Sequence, residues 1–183
     1  LQAPVCQLND ERFVRRAVAN GLKSWFVVVE KEGDGEHLLD AIRVLKTCGV
    51  WWVVRFGLTA VNESTPELLD ILNRLGGGSA LIEWTPGPPE VIREAIGILR
   101  EWGAKNPTAK GVCSIGLPGC EIWQSSHMML PATPVSGDGR VGAQIQEAAC
   151  RTCKWSVHCP GASRAAWVSG MFQAKPIPGR PIL

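Results

Sequence analysis

Four apolar runs, SWFVVVE, VWWVVRF, SALIEW and KGVCSIG, each follow a stretch with helical character, and this order recurs without interruption over the first 115 residues. The run centres near Val27, Val53, Ile82 and Cys113 lie about 26 to 31 residues apart, the scale of a compact unit in which a helix carries the chain back to start a parallel strand. Repeated helix-to-strand passage of this kind confines the chain to α/β architectures with parallel strands and right-handed crossovers. Nearly continuous apolar runs suit strands covered on both faces, by helices on one side and a barrel interior on the other. Four such units make either half of a barrel or a small open sheet. Periodicity does not choose between them.

The local signals agree with this rhythm. In DERFVRRAVANG, Asp10 is placed to cap a helix and Gly21 to stop it. GEHLLDAIRVLKTCG puts Leu38, Leu39, Ile42 and Leu45 on one side of a second helix. TPELLDILNRLGGG and PPEVIREAIGILREWG supply the third and fourth helices. Arg55 and Glu83 fall on the second and third strands, where a pair across adjacent strands would satisfy both charges.

After Gly116 the pattern changes. The segment from Leu117 to Cys150 carries Pro, Gly and Ser throughout, and AQIQEAA is its first candidate helix. That is long for a connection, so it is either disordered or tied down. GDGRV has the turn chemistry of a small hairpin, PGASRAAWVSGMF allows one short helix, and AKPIPGRPIL reads as an extended tail. The chain therefore divides after residue 115, into the repeating α/β units of 1–115 and a cysteine-rich region with its tail, 116–183.

CRTCKWSVHC, residues 150–159, spaces Cys150, Cys153 and Cys159 as C-x2-C-x5-C. Thiolates are soft anionic ligands, and a tetrahedral sulfur site takes zinc or the iron of a cluster. A triplet without the second CxxC pair of a zinc site suits a [4Fe-4S] cluster, with Cys120, outside the last strand, or Cys113, within it, as fourth ligand. The alternatives are zinc, disulfides or an incidental group of thiols. Clustering of three among seven cysteines, an odd total, points away from a disulfide framework and to a reducing, cytoplasmic setting. Arg151, Lys154 and Arg164 form a basic patch about the triplet that would offset cluster charge or meet phosphate, which keeps nucleic acid among the possible partners.

Overall charge adds little: 19 Lys and Arg against 17 Asp and Glu leave +2, which predicts neither nucleic-acid nor membrane binding. No stretch approaches the roughly 20 apolar residues of a membrane span. No nucleophile has an acid-base relay, and no Gly-rich loop carries the Lys of a phosphate cradle.

Taken together, ERFVRRAVANGLKSWFVVVE, LLDAIRVLKTCGVWWVVRFGLTAVNESTPELLDILNRLG, SALIEWTPGPP and CRTCKWSVHCPG resemble the later barrel half and the SPASM or twitch auxiliary-cluster region of radical S-adenosylmethionine enzymes. The resemblance implies that residues 1–115 are a partial α/β barrel of the TIM-like (βα)6 kind, and that the activity is radical modification of a peptide or small molecule. This chain would contribute substrate binding and auxiliary-cluster electron transfer. It also implies S-adenosylmethionine as cofactor, with Glu30 and Asn62 as the positions similar to those that contact it. The CxxxCxxC loop of that family does not occur in these residues, so a second chain or fragment carrying it is the expected partner. The triplet also resembles those of iron–sulfur nucleases and WhiB-like transcription regulators, which leaves an iron–sulfur nucleic-acid-binding protein, or a zinc-stabilised structural protein, as alternatives.

Overall fold

The structure is a computed structural model; it describes residues 8, 10–29, 37–109, 111–115, 117, 120, 144–145, 148–154, 159, 161–163, 166, 168–170, 172–173 and 175–178. Helix α1 spans Glu11–Ala19, and the Asp10 carboxylate accepts from the N–H groups of Arg12, at 2.9 Å, and Phe13. That contact satisfies two of the donors a helix start leaves open. Gly21 then turns the chain at φ 91° into strand β1, Ser24–Val29. Helix α2, Leu38–Thr47, buries Leu38, Ala41, Ile42 and Leu45, and leaves Leu39 half-buried.

Strand β2, Trp51–Gly57, runs into a single 3₁₀ turn, Leu58–Ala60. Helix α3, Thr65–Leu75, has Pro in its first turn, strand β3 spans Gly78–Glu83, and helix α4, Pro89–Lys105, also starts on proline. Proline suits that place because its missing N–H would have no intrahelical acceptor there. Strand β4, Val112–Ile115, completes the series.

All four strands are parallel and lie in the order β1-β2-β3-β4, so each new strand is added beside its predecessor. Helix α2 packs on β2, α3 on β3, and α4 on the 3₁₀ turn and on α3. This is a parallel α/β fold of four strands, and the described residues do not close it into a full barrel.

Burial alternates along the strands. Trp25, Val27 and Val29 of β1, Trp52, Val54 and Phe56 of β2, Ala80 and Ile82 of β3, and Val112 and Ser114 of β4 are buried on the face that meets the helices. Each large aliphatic side chain so buried contributes about 1.5–3 kcal/mol relative to exposure. The opposite face carries Phe26, Val28, Val53, Arg55, Leu81, Glu83 and Cys113, all half-buried except Phe26, which is 41% exposed; Trp51 at its amino end is 51% exposed. Continuous apolar composition had suggested two covered faces. The structure gives one fully covered face and one half-open one, because Trp51, Val53 and Phe26 are apolar without being enclosed.

Register between β2 and β3 depends on one close approach. Gly78 lies opposite Trp52, and a Cβ at Gly78 would sit 2.1 Å from the indole Cδ2 and 2.3 Å from the Trp52 carbonyl oxygen. Only glycine lets the indole lie flat across that strand start.

The later region differs from its sequence reading. Where AQIQEAA suggested a helix, Gln144–Ile145 form strand β5 and Ala148–Thr152 a 3₁₀ turn. In PGASRAAWVSGMF, which suggested a helix, Ala162–Ser163 form strand β6, antiparallel to β5, and Ala166 and Val168 are helical. Gly161, at φ 83°, makes the bend before β6 that other residues avoid. The GDGRV hairpin lies outside the described residues. This region joins the same hydrophobic core through Cys153, Ala162, Ala166 and Phe172.

Candidate functional site: the carboxyl ends of the parallel strands

The half-open face is apolar at its amino end and polar at its carboxyl end. Near the end of β2, Arg55 reaches across to Glu83 at the end of β3. Both its Nε, at 3.1 Å, and its Nη2 donate to Glu83 Oε2, with side-chain exposures of 35% for Arg55 and 27% for Glu83. The register explains the diagonal contact: Arg55 lies opposite Leu81 and Glu83 opposite Gly57, so the two charged side chains stand on one face, one pleat apart. The pair is shielded enough to need its partner, yet open enough to be reached.

Immediately beyond, the loops after β2 and β3 are fastened together. The Thr59 N–H donates to Thr85 Oγ1 at 3.0 Å, and the two hydroxyls are 3.1 Å apart. Gly87 permits the approach, since a Cβ there would lie 2.3 Å from Thr59 Cγ2. These hydroxyls were not among the residues singled out from sequence, because nothing in LTAV or WTPG marks two threonines 26 positions apart as neighbours.

Asn62 lies in the same loop with a local structural task. Its Oδ1 accepts from the Ser64 N–H at 3.1 Å and from the hydroxyls of Ser64 and Thr65, while its own N–H donates to Thr65 Oγ1 at 3.0 Å. This reciprocal set organises the entry to α3. Glu30 lies outside the described residues.

Trp84, next after Glu83, meets Phe172 edge-on, with ring centroids 5.4 Å apart at 70°. That contact brings the C-terminal region to the carboxyl end of β3. The Trp84 indole N–H is buried with no acceptor among the described residues.

Among the described residues the cysteines form no metal-binding group. Cys113 sits within β4, its thiol donating to the Ala80 carbonyl at 3.7 Å, and burial pushes that thiol up to about 11. Cys153 is 8% exposed, and its sulfur accepts from the Ile177 N–H at 3.4 Å. Cys120, Cys150 and Cys159 are half-buried, and no disulfide joins any of these five residues.

Among the described residues no group of three or more His, Cys, Asp or Glu side chains is placed to hold a metal ion. That finding overturns the expected [4Fe-4S] cluster on Cys120 or Cys113 with Cys150, Cys153 and Cys159. With it go the radical S-adenosylmethionine assignment, S-adenosylmethionine as cofactor, and the iron–sulfur and zinc alternatives. The physical reason is that spacing along a chain sets which sulfurs can converge, while packing decides whether they do. Here the Cys153 sulfur is taken up by backbone of the C-terminal region and the Cys113 sulfur by the sheet.

No family model, curated protein or solved structure matches the chain. Among the described residues, no helix is long and apolar enough to cross a membrane.

Proposed function

We propose that residues 1–115 are a segment of a TIM-like barrel that binds a small polar ligand at the carboxyl ends of its strands, with residues 116–183 as an accessory region beside that end. The observation that carries this reading is the Arg55–Glu83 pair, standing on the half-open face of four parallel strands in sequential order. Sequential order with helices on one face is how barrels are wound, whereas doubly wound sheets reverse their strand order and place helices on both faces. By analogy of fold, ligands of parallel α/β domains meet the chain at the carboxyl ends of strands.

Arg55 suits a carboxylate or phosphate group, which a planar guanidinium grips with two parallel N–H bonds, and Glu83 holds the guanidinium in place. The Thr59 and Thr85 hydroxyls add neutral polar groups at the rim. A second chain or fragment that supplies further strands would complete the wall on the half-open face, and the exposed Phe26 and Trp51 support such a partner. Seven cysteines, an odd number with three crowded into ten residues, suit a reducing compartment such as the cytoplasm.

The test is a nuclear magnetic resonance titration of the full chain with inorganic phosphate and with citrate. The expected result is shifts concentrated on the Arg55 side chain and the Thr59 and Thr85 amides, abolished in Arg55→Met. Shifts scattered over exposed lysines and arginines, or unchanged in that variant, would remove the site.

A further inference from the structure

The CRTC half of the cysteine motif has a geometry that suits a second kind of chemistry. The Cys153 N–H donates to the Cys150 carbonyl at 3.0 Å, closing a three-residue step that continues the 3₁₀ turn Ala148–Thr152. Such a step holds the two Cα atoms within about 7 Å, and a disulfide needs roughly 4.4–6.8 Å. Side chains three apart in 3₁₀ geometry also fall on the same side. Cys150 is half-buried and so within reach of a solute, Cys153 is 8% exposed, and no disulfide joins them.

The Cys153 sulfur has a backbone partner. Ile177 is joined to this turn by two bonds: its N–H donates to Cys153 Sγ at 3.4 Å, and its carbonyl accepts from the Lys154 N–H at 2.9 Å. One of these two bonds therefore ends on a thiol. Phe172, five residues before Ile177, lies against Trp84 at the carboxyl end of β3.

We propose that Cys150 and Cys153 are a dithiol–disulfide site, oxidised by small-molecule disulfides, whose closure withdraws the sulfur that anchors Ile177 and loosens the C-terminal region beside the strand ends. The exchange balances in two steps. The Cys150 thiolate attacks one sulfur of the small disulfide, forming a mixed disulfide and expelling one small thiol. Cys153, having lost its proton to solvent, attacks Cys150 Sγ, forming the protein disulfide and expelling the second small thiol. Two electrons leave the protein, and the small disulfide is reduced to two thiols. Bonding to a second sulfur turns Cys153 Sγ away from Ile177.

The experiment incubates the full chain with oxidised glutathione over a range of ratios to reduced glutathione. It maps disulfides by mass spectrometry of peptides and follows amide exchange at Ile177. The site predicts an intramolecular Cys150–Cys153 disulfide and roughly three- to tenfold faster exchange at Ile177, the loss of one hydrogen bond. Reduction should reverse both. Cys159→Ser should behave like the native chain. Cys150→Ser should keep slow exchange at Ile177 under oxidation, with circular dichroism reporting that it is folded. Glutathione left on Cys150, a disulfide to any other cysteine, or exchange at Ile177 that oxidation does not alter would each overturn the proposal. The native chain alone can deliver those contrary results, so the test does not depend on a variant folding.

Discussion

Replacing Arg55 and Glu83 singly and together measures how much of their pairing serves the fold and how much is left for a ligand. Both Arg55 bonds end on one carboxylate oxygen, and the side chains are 35% and 27% exposed. Fully exposed pairs contribute 0–1 kcal/mol, because water already solvates each charge. Removing one partner of a fully buried pair costs about 3–5 kcal/mol. A pair about one-third exposed falls between these limits, so Arg55→Met and Glu83→Leu should each cost about 2 kcal/mol by leaving a lone charge against Val53, Val28 and Leu81. The double variant puts apolar groups in both places and should cost less than the two singles combined, giving a coupling of about 1–2 kcal/mol. Equilibrium urea unfolding of the four proteins gives the cycle, and raising the salt concentration should shrink the coupling, because the pair is partly in water. A coupling below about 0.3 kcal/mol at low salt would show that the two charges do not stabilise each other. A double variant less stable than both singles added together would show that the face is not apolar enough to accept the replacements.

Two further outcomes follow from the packing. Gly78→Ala should destabilise the chain by about 3 kcal/mol in urea unfolding, since a Cβ would meet the Trp52 carbonyl oxygen at 2.3 Å and no rotamer relieves a backbone clash; a loss under about 0.5 kcal/mol would contradict the β2–β3 register. Burial raises the Cys113 thiol from 9.0 to about 11. The unfolded thiol loses its proton first, so this contribution to stability is whole below pH 9.0 and is lost as pH rises through about 11. Alkylation of Cys113 in the folded chain should accordingly reach half its maximal rate near pH 11, and a midpoint near 9 would place that thiol in water.

The parallel α/β pattern was legible because each of its signals is local. Asp10 caps a helix from two residues away, proline opens α3 and α4, and apolar runs near Val27, Val53, Ile82 and Cys113 became strands in the order in which they occur. The openness of one sheet face was not legible, since Trp51 and Trp52 are identical in composition and opposite in burial. That difference depends on which side the pleat turns to the helices. Arg55 and Glu83 could be paired from sequence because adjacent strands bring them together; Thr59 and Thr85 could not, because their contact depends on how two loops fold over Gly87.

The cysteine motif failed for a related reason. C-x2-C-x5-C states which sulfurs are near in sequence. It omits Ile177, whose N–H takes the Cys153 sulfur from 24 positions away, and it omits the sheet that keeps Cys113 protonated. Short β5 likewise replaced the helix expected at AQIQEAA, since pairing with the distant β6 outweighed local helical preference.

Hydroxyl-radical footprinting of the full chain, read residue by residue, tests most directly whether one sheet face is sealed by helices and the other lies open. Trp51 is 51% exposed and its neighbour Trp52 is fully buried, on opposite faces of one strand. Oxidation should be many times faster at Trp51 and Phe26 than at Trp52 and Trp25. Equal rates at Trp51 and Trp52, or protection of Trp51 with attack on Trp52, would contradict the account.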